Sequence, residues 1–139
     1  MGETAVHARL VDALIVYAEI ELGQRSNLCL RNDAVRPVRG ERPPRINGYV
    51  PDLYATDVPT TATLIGEAKT KADLETDHTR VQIQAFLGYL SQTPNGIFVL
   101  SVPLSAAATA RRLLSQLKAP FIEAQTRTVV IDRMRAVVC

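Results

Sequence analysis

Asp52, Glu67 and Lys69 are the group in this sequence best suited to metal-assisted chemistry. The midpoint between positions 52 and 67 falls between Pro59 and Thr60, beside a second threonine, and proline with small polar residues is turn chemistry. A hairpin reversing there sets Asp52 opposite Glu67. Opposed side chains of an antiparallel pair share a face, with Cβ atoms about 4.5–5.5 Å apart. Glu67 and Lys69 are two apart on one strand and share that face too. Two carboxylates that close repel unless something neutralises them. With water and substrate phosphate, their oxygens form the natural shell of Mg²⁺. The competing reading is a plain cross-strand salt bridge, common at protein surfaces and worth little.

The elements that must hold this trio can be read from periodicity. Residues 4–22 predict a helix, with Leu10, Val11, Leu14 and Tyr17 at helical spacing, Thr4 as N-cap and Gly23 as stop. Residues 27–31 predict a short first strand, and the Pro- and Gly-rich stretch 32–48 a loop. Strands follow at 49–57 and 61–70. Gly66 and Ala68, on the face opposite Glu67, leave room for a helix to pack closely behind. Residues 76–92 predict a helix with Asp77 as N-cap and Val81, Ala85, Phe86, Tyr89 and Leu90 as its apolar face. The run 97–102 (IFVLSV) reads as a strand buried on both faces. A helix over 105–118 and terminal strands over 120–125 and 127–138 complete the chain. The expectation is an α/β fold: a mixed central sheet flanked by helices, an αβββαβ core with an added C-terminal helix and strands. The step from 61–70 through 76–92 to 97–102 is expected to be a right-handed parallel crossover.

The length of 139 residues predicts one domain over 1–139, large enough to bury roughly 68% of its unfolded surface. Apolar residues at 47% and charged residues at 22% exclude a disordered or low-complexity chain. No apolar run is long enough for a membrane span, no secretory signal is visible, and two isolated cysteines make no disulfide framework, so a cytoplasmic location is expected. Aromatic residues at 5%, with no Trp, argue against binding by base stacking. The net charge of +2 is unevenly spread: five arginines lie in 31–45, six cations in 111–139, and four carboxylates in 67–77. An acidic centre between basic flanks suits a phosphate-rich polymer carried to a cation site. His7 and His78 have no partners at zinc-ligand spacing, and no Gly-rich phosphate loop or G-x-S-x-G elbow is present.

Pro51-Asp52, fourteen intervening residues, and Glu67-Ala68-Lys69 within GEAKT resemble the core motif of the PD-(D/E)xK nuclease superfamily. The order of elements over about residues 4–103 resembles that family's fold, the restriction-endonuclease-like fold. The resemblance implies a Mg²⁺-dependent phosphodiesterase, with Mn²⁺ able to substitute, acting on DNA or less often RNA. It implies that Asp52, Glu67 and the backbone carbonyl of Ala68 hold the metal, and that Lys69 orients or polarises the attacking water. Relatives often carry a Gln on the next helix. Gln82, four before Phe86 and seven before Tyr89, shares the sheet-facing stripe and is favoured over Gln84 for contacting the water or a phosphate. Relatives also often carry an acidic residue on the first helix. Glu3, Asp12, Glu19 and Glu21 are all available here, with Glu3, one turn from His7, ranked first among them. Arg36, Arg39, Arg42 and Arg45 enter the hairpin directly and are candidates to clamp backbone phosphates.

With no separate recognition domain, such a nuclease is expected to select structure or ends rather than a long sequence. A homodimer or a protein partner supplying specificity is compatible with this reading. The alternative is a non-catalytic module on the same fold that binds nucleic acid or protein.

Overall fold

The computed structural model describes residues 5–23, 28–32, 42–57, 60–132 and 135–138; for 28, 32 and 135–138 only the backbone is described. Helix α1 (Ala5–Leu22) is followed by strands β1 (Leu28–Asn32), β2 (Leu53–Asp57) and β3 (Thr63–Ala68). Helices α2 (Lys71–Leu74) and α3 (Asp77–Leu90), strand β4 (Gly96–Pro103), helix α4 (Ala107–Lys118), and strands β5 (Gln125–Asp132) and β6 (Arg135–Val138) follow.

The strands form one six-stranded sheet in the order β1-β2-β3-β4-β5-β6. The pairs β1–β2, β2–β3 and β5–β6 are antiparallel, while β3–β4 and β4–β5 are parallel. The mixed α/β class expected from the sequence is the class observed. Helix α1 covers one face through Leu10, Leu14, Ala18 and Leu22, against Leu53, Leu64 and Val99. Helices α3 and α4 cover the other through Ile83, Phe86, Leu87, Leu113 and Leu117, against Ile65, Phe98 and Leu100. A sheet covered on both faces explains why β3 and β4 are almost wholly buried and read as continuous apolar runs.

The β2–β3 register pairs Leu53 with Gly66 and Thr56 with Thr63. Extended by one residue, this sets Asp52 opposite Glu67. Gly66 matters here for close approach. A Cβ at this position would lie 3.0 and 3.2 Å from the two Leu14 methyls and 3.3 Å from Leu53 Cβ. The missing side chain lets α1 settle directly behind the strand that carries Glu67.

Several expectations need correction. The strand expected over 49–57 starts only at Leu53. Before it, Ile46 and Tyr49 form a β-bridge closed by backbone bonds of 2.7 and 2.9 Å, and Asn47 (φ 49°) and Gly48 (φ 85°) make the turn between them. Asn-Gly with both residues at positive φ is the favoured two-residue hairpin turn, a signal submerged in the Pro-rich context. The strand expected over 61–70 stops at Ala68, because Thr70 and Asp73 form a capping box that starts α2. Thr76, not Asp77, caps α3, accepting the Thr79 N–H. Val81 is 50% exposed; the buried stripe of α3 is Thr79, Gln82, Ile83, Phe86, Leu87 and Leu90. Residues 121–124 form a turn in place of the strand expected over 120–125.

Candidate metal and active site

The site lies where β2 begins and β3 ends. Because the two strands are antiparallel, the entry to one meets the exit of the other, and each strand's backbone orders the other's carboxylate. Asp52 N–H donates to Glu67 Oε1 at 3.2 Å, and Ala68 N–H donates to Asp52 Oδ2 at 2.8 Å. This reciprocal pair fixes both side chains at the seam and leaves one oxygen of each carboxylate for other contacts. Asp52 Oδ1 lies 3.6 Å from His7 Nε2, and Glu67 Oε2 lies 3.6 Å from Lys69 Nζ.

Lys69 is tied down from a second element. Its Nζ donates to Gln82 Oε1 on α3 at 2.7 Å, and its N–H donates to the Ser101 carbonyl on β4 at 3.0 Å. Lysine has donors only, so the amide oxygen of Gln82 must face it, leaving the amide nitrogen as a donor. Gln82 is buried among the sheet-facing residues of α3 and meets the site there. Gln84, two residues on, is exposed.

Glu67 is 2% exposed. Burial, then the charge and hydrogen bond of Asp52, push its carboxyl well above the ordinary carboxylate range, with Lys69 opposing. One ammonium at 3.6 Å does not neutralise two carboxylates. The donor set therefore fits a hard divalent cation: two adjacent carboxylates, all oxygen, with excess negative charge. Among the described residues, no set of three or more Asp, Glu, His or Cys side chains converges on one point. Asp52 and Glu67 would thus be the acidic side chains holding such an ion, with water or substrate oxygens completing its shell.

The residues singled out from sequence fall into three groups. Asp52, Glu67, Ala68, Lys69 and Gln82 come together as described. Arg42 and Arg45 are exposed on the segment before β2, where Arg45 Nη1 donates to the Gly48 carbonyl at 3.0 Å. Glu3, Arg36 and Arg39 lie outside the described residues. His7, noted in the sequence as the turn-mate of Glu3, reaches Asp52 from α1. Ser101 went unnoticed. Its carbonyl anchors Lys69, and its hydroxyl is fully buried with no hydrogen-bond partner among the described residues. The available signal was one polar residue inside the apolar run of β4.

The molecule is thus a mixed α/β protein with a carboxylate–lysine cluster at the rim of its central sheet. Its fold is similar to that of Pyrococcus furiosus SfsA, solved in complex with Ca²⁺, with a TM-score of 0.53 and 10% identity over 94% of this chain and 62% of that one. This chain therefore spans less than two thirds of the length of SfsA, and at that identity the likeness is one of fold. No protein-family model and no curated protein matches the chain. No helix among the described residues is long and apolar enough to cross a membrane.

Proposed function

We propose that the chain is a Mg²⁺-dependent phosphodiesterase of the PD-(D/E)xK type that hydrolyses nucleic acid, DNA first, selecting structure or ends rather than a long sequence. The observation that carries this reading is the interlocked Asp52–Glu67 pair, each carboxylate held by the other strand's backbone, with Lys69 beside it. Asp52, Glu67 and the Ala68 carbonyl would hold the ion. When bound, Mg²⁺ supplies charge neutralisation at the phosphoryl oxygens and a more acidic water. Lys69 Nζ would donate to the attacking water or to a phosphoryl oxygen. Gln82 aims that ammonium through its oxygen and keeps its nitrogen as a further donor. Burial of Glu67 and the low exposure of Lys69 exclude bulk water, which strengthens every charge interaction at the site. That SfsA, on a similar fold, was solved with Ca²⁺, another oxygen-seeking cation, agrees with this reading.

A non-catalytic binding module on the same fold is the second reading. It is favoured by the meeting of only two acidic side chains at the site among the described residues. Calorimetry with Mn²⁺ and Mg²⁺ tests the metal site: the ion binds wild type and is lost in both Asp52→Ala and Glu67→Ala. Incubation with plasmid, single-stranded and branched DNA plus Mn²⁺ then tests catalysis. Binding of the ion without cleavage of any substrate overturns the enzymatic reading in favour of the module. No binding of either ion overturns the metal site itself.

A further inference from the structure

A second polar site lies at the same rim of the sheet. A cleft of about 470 Å³ opens between α2, the start of α3 and one side of α4. Lys71, Arg80 and Arg112 line it, with Thr109, Gln116 and one carboxylate, Glu75. No carboxylate among the described residues pairs with any of the three cations, and Arg80 Nη2 donates to Gln116 Oε1 at 3.4 Å. Three cations converge with one acid to offset them, so the cleft carries net positive charge that an anion would neutralise.

Its position gives that charge a use. The two parallel strands β3 and β4 end here, and ligands of α/β sheets bind beyond the carboxyl ends of such strands. Lys71 is two residues from Lys69, so their Cα atoms are at most about 7.6 Å apart. A chain with a charge about every 3.4 Å of its axis, held at Lys69, would carry its next phosphates to this cleft. A further cationic pocket, lined by Arg111, Lys118 and Arg127, lies on another side of α4, against β5. Arg127 pairs in register with Val99, before the strand end, and already donates to Thr126 O and Gln125 Oε1.

We infer that the Lys71–Arg80–Arg112 cleft is a phosphate-binding subsite that holds the nucleic-acid backbone next to the phosphate presented to Asp52, Glu67 and Lys69. The inference rests on the proposed function and names the surface that delivers its substrate. It gives a role to Arg112 of the C-terminal basic segment, which the carboxylate site leaves unused.

The test is titration of a fluorescein-labelled twelve-nucleotide DNA, single-stranded and duplex, over a salt series in EDTA. Lys71→Ala/Arg112→Ala is compared with Arg111→Ala/Lys118→Ala, which removes the same charge from the pocket on the β5 side of α4. The first pair is expected to weaken duplex binding at least about 10-fold and to lower the salt slope by about 1.8, while the second leaves both unchanged. Single Arg112→Gln serves if the double variant melts early. Equal losses in both pairs, no loss in the first, or no binding by wild type overturns the subsite. Mn²⁺ calorimetry on the same proteins judges the carboxylate site separately, because the cleft variants leave Asp52 and Glu67 intact.

Discussion

The β2–β3 hairpin carries a buried carboxylate at each end, and the two have opposite environments. At the turn end, Asp57 is 5% exposed and accepts the N–H groups of Thr61 at 2.7 Å and Ala62 at 2.9 Å, together with the Thr61 hydroxyl. The hydroxyl bond leads, the backbone bonds add to it, and the Asp57 carboxyl is held down at about 2. At the open end, Glu67 is 2% exposed, accepts one N–H at 3.2 Å, and faces a second carboxylate. Its carboxyl is pushed up. Both side chains have little exposed surface, but Glu67 lies deeper in the protein, and that burial is the first cause of its raised carboxyl, whereas at Asp57 it is outweighed by hydrogen bonds. The two also differ in whether the chain supplies partners for the charge. Asp57 is answered by its own turn and works as a structural clasp. Glu67 and its neighbour Asp52 have one ammonium between them, that of Lys69, and this shortfall is what the proposed divalent ion would make good.

The sharpest way to break this contrast is to remove a carboxylate at each end and measure activity. In the proposed nuclease, Asp52→Ala and Glu67→Ala each lower Mn²⁺-dependent DNA cleavage by at least about 100-fold and abolish Mn²⁺ binding by calorimetry. Asp57→Asn, measured at a temperature where it is folded, leaves both unchanged. Activity loss of similar size at both ends would show that the pair at the open end is no more specialised than the clasp.

Next in size is the cation beside the pair. Lys69→Ala is expected to reduce kcat by about 100-fold, as loss of a donor to developing charge does, while leaving Mn²⁺ affinity near wild type. Gln82→Ala should cost about 10-fold in kcat, because it acts through the aim of Lys69. Steady-state kinetics at saturating Mn²⁺ separates the two. A Gln82 variant that changed KM alone would assign the amide to substrate binding.

How much of this was legible follows the range of each signal. The Asp52–Glu67 register needed only a turn position and the two-residue period of a strand, both local. Gly66 as the seat of α1 was legible for the same reason, since a missing side chain on the covered face implies a close neighbour. The stripe of α3 was misread around Val81, because Val81 and Tyr89 are as apolar as the residues that turn inward and composition alone does not choose between neighbouring stripes. Gln82 stayed in place because it shares helical phase with Phe86 under either choice. The Thr70–Asp73 capping box was overlooked because its four residues look like the tail of a strand. The cleft between α2 and α4 was illegible, since Lys71 and Arg112 are 41 positions apart in the chain and only the parallel β3–β4 pairing brings their helices together.

Stability offers a smaller test of the contrast, with opposite signs at the two ends. In metal-free buffer, Asp57→Asn lowers Tm, on the order of 5 °C, because an amide cannot accept three donors as a carboxylate does. Glu67→Gln raises it, because it removes a carboxylate that burial and Asp52 disfavour. Saturating Mn²⁺ should then lift the Tm of wild type and leave that of Glu67→Gln nearly unmoved. Shifts of the same sign in the two variants, read by calorimetric or circular-dichroism melts, would remove the distinction between clasp and site.

The smallest effect is the pH dependence, where the two ends act in separate windows. Asp57 has a depressed carboxyl, so its contribution is full above its ordinary value of 3.8 and is lost as pH falls toward about 2. Glu67 has a raised carboxyl. Above its ordinary value of 4.5, the folded chain binds more protons at this group than the unfolded chain does, so stability falls as pH rises through that window. Metal-free wild type should therefore melt at a higher temperature as pH is lowered from neutrality toward 5, then at a lower one as the acid limit is approached. Glu67→Gln flattens the first limb and keeps the second, whereas Asp57→Asn keeps the first and flattens the second. Melting curves of the three proteins from pH 7 to pH 3 in EDTA provide the measurement. A first limb that survives in Glu67→Gln would assign it to other groups and leave the open end of the hairpin without the stored repulsion that a divalent ion is proposed to relieve.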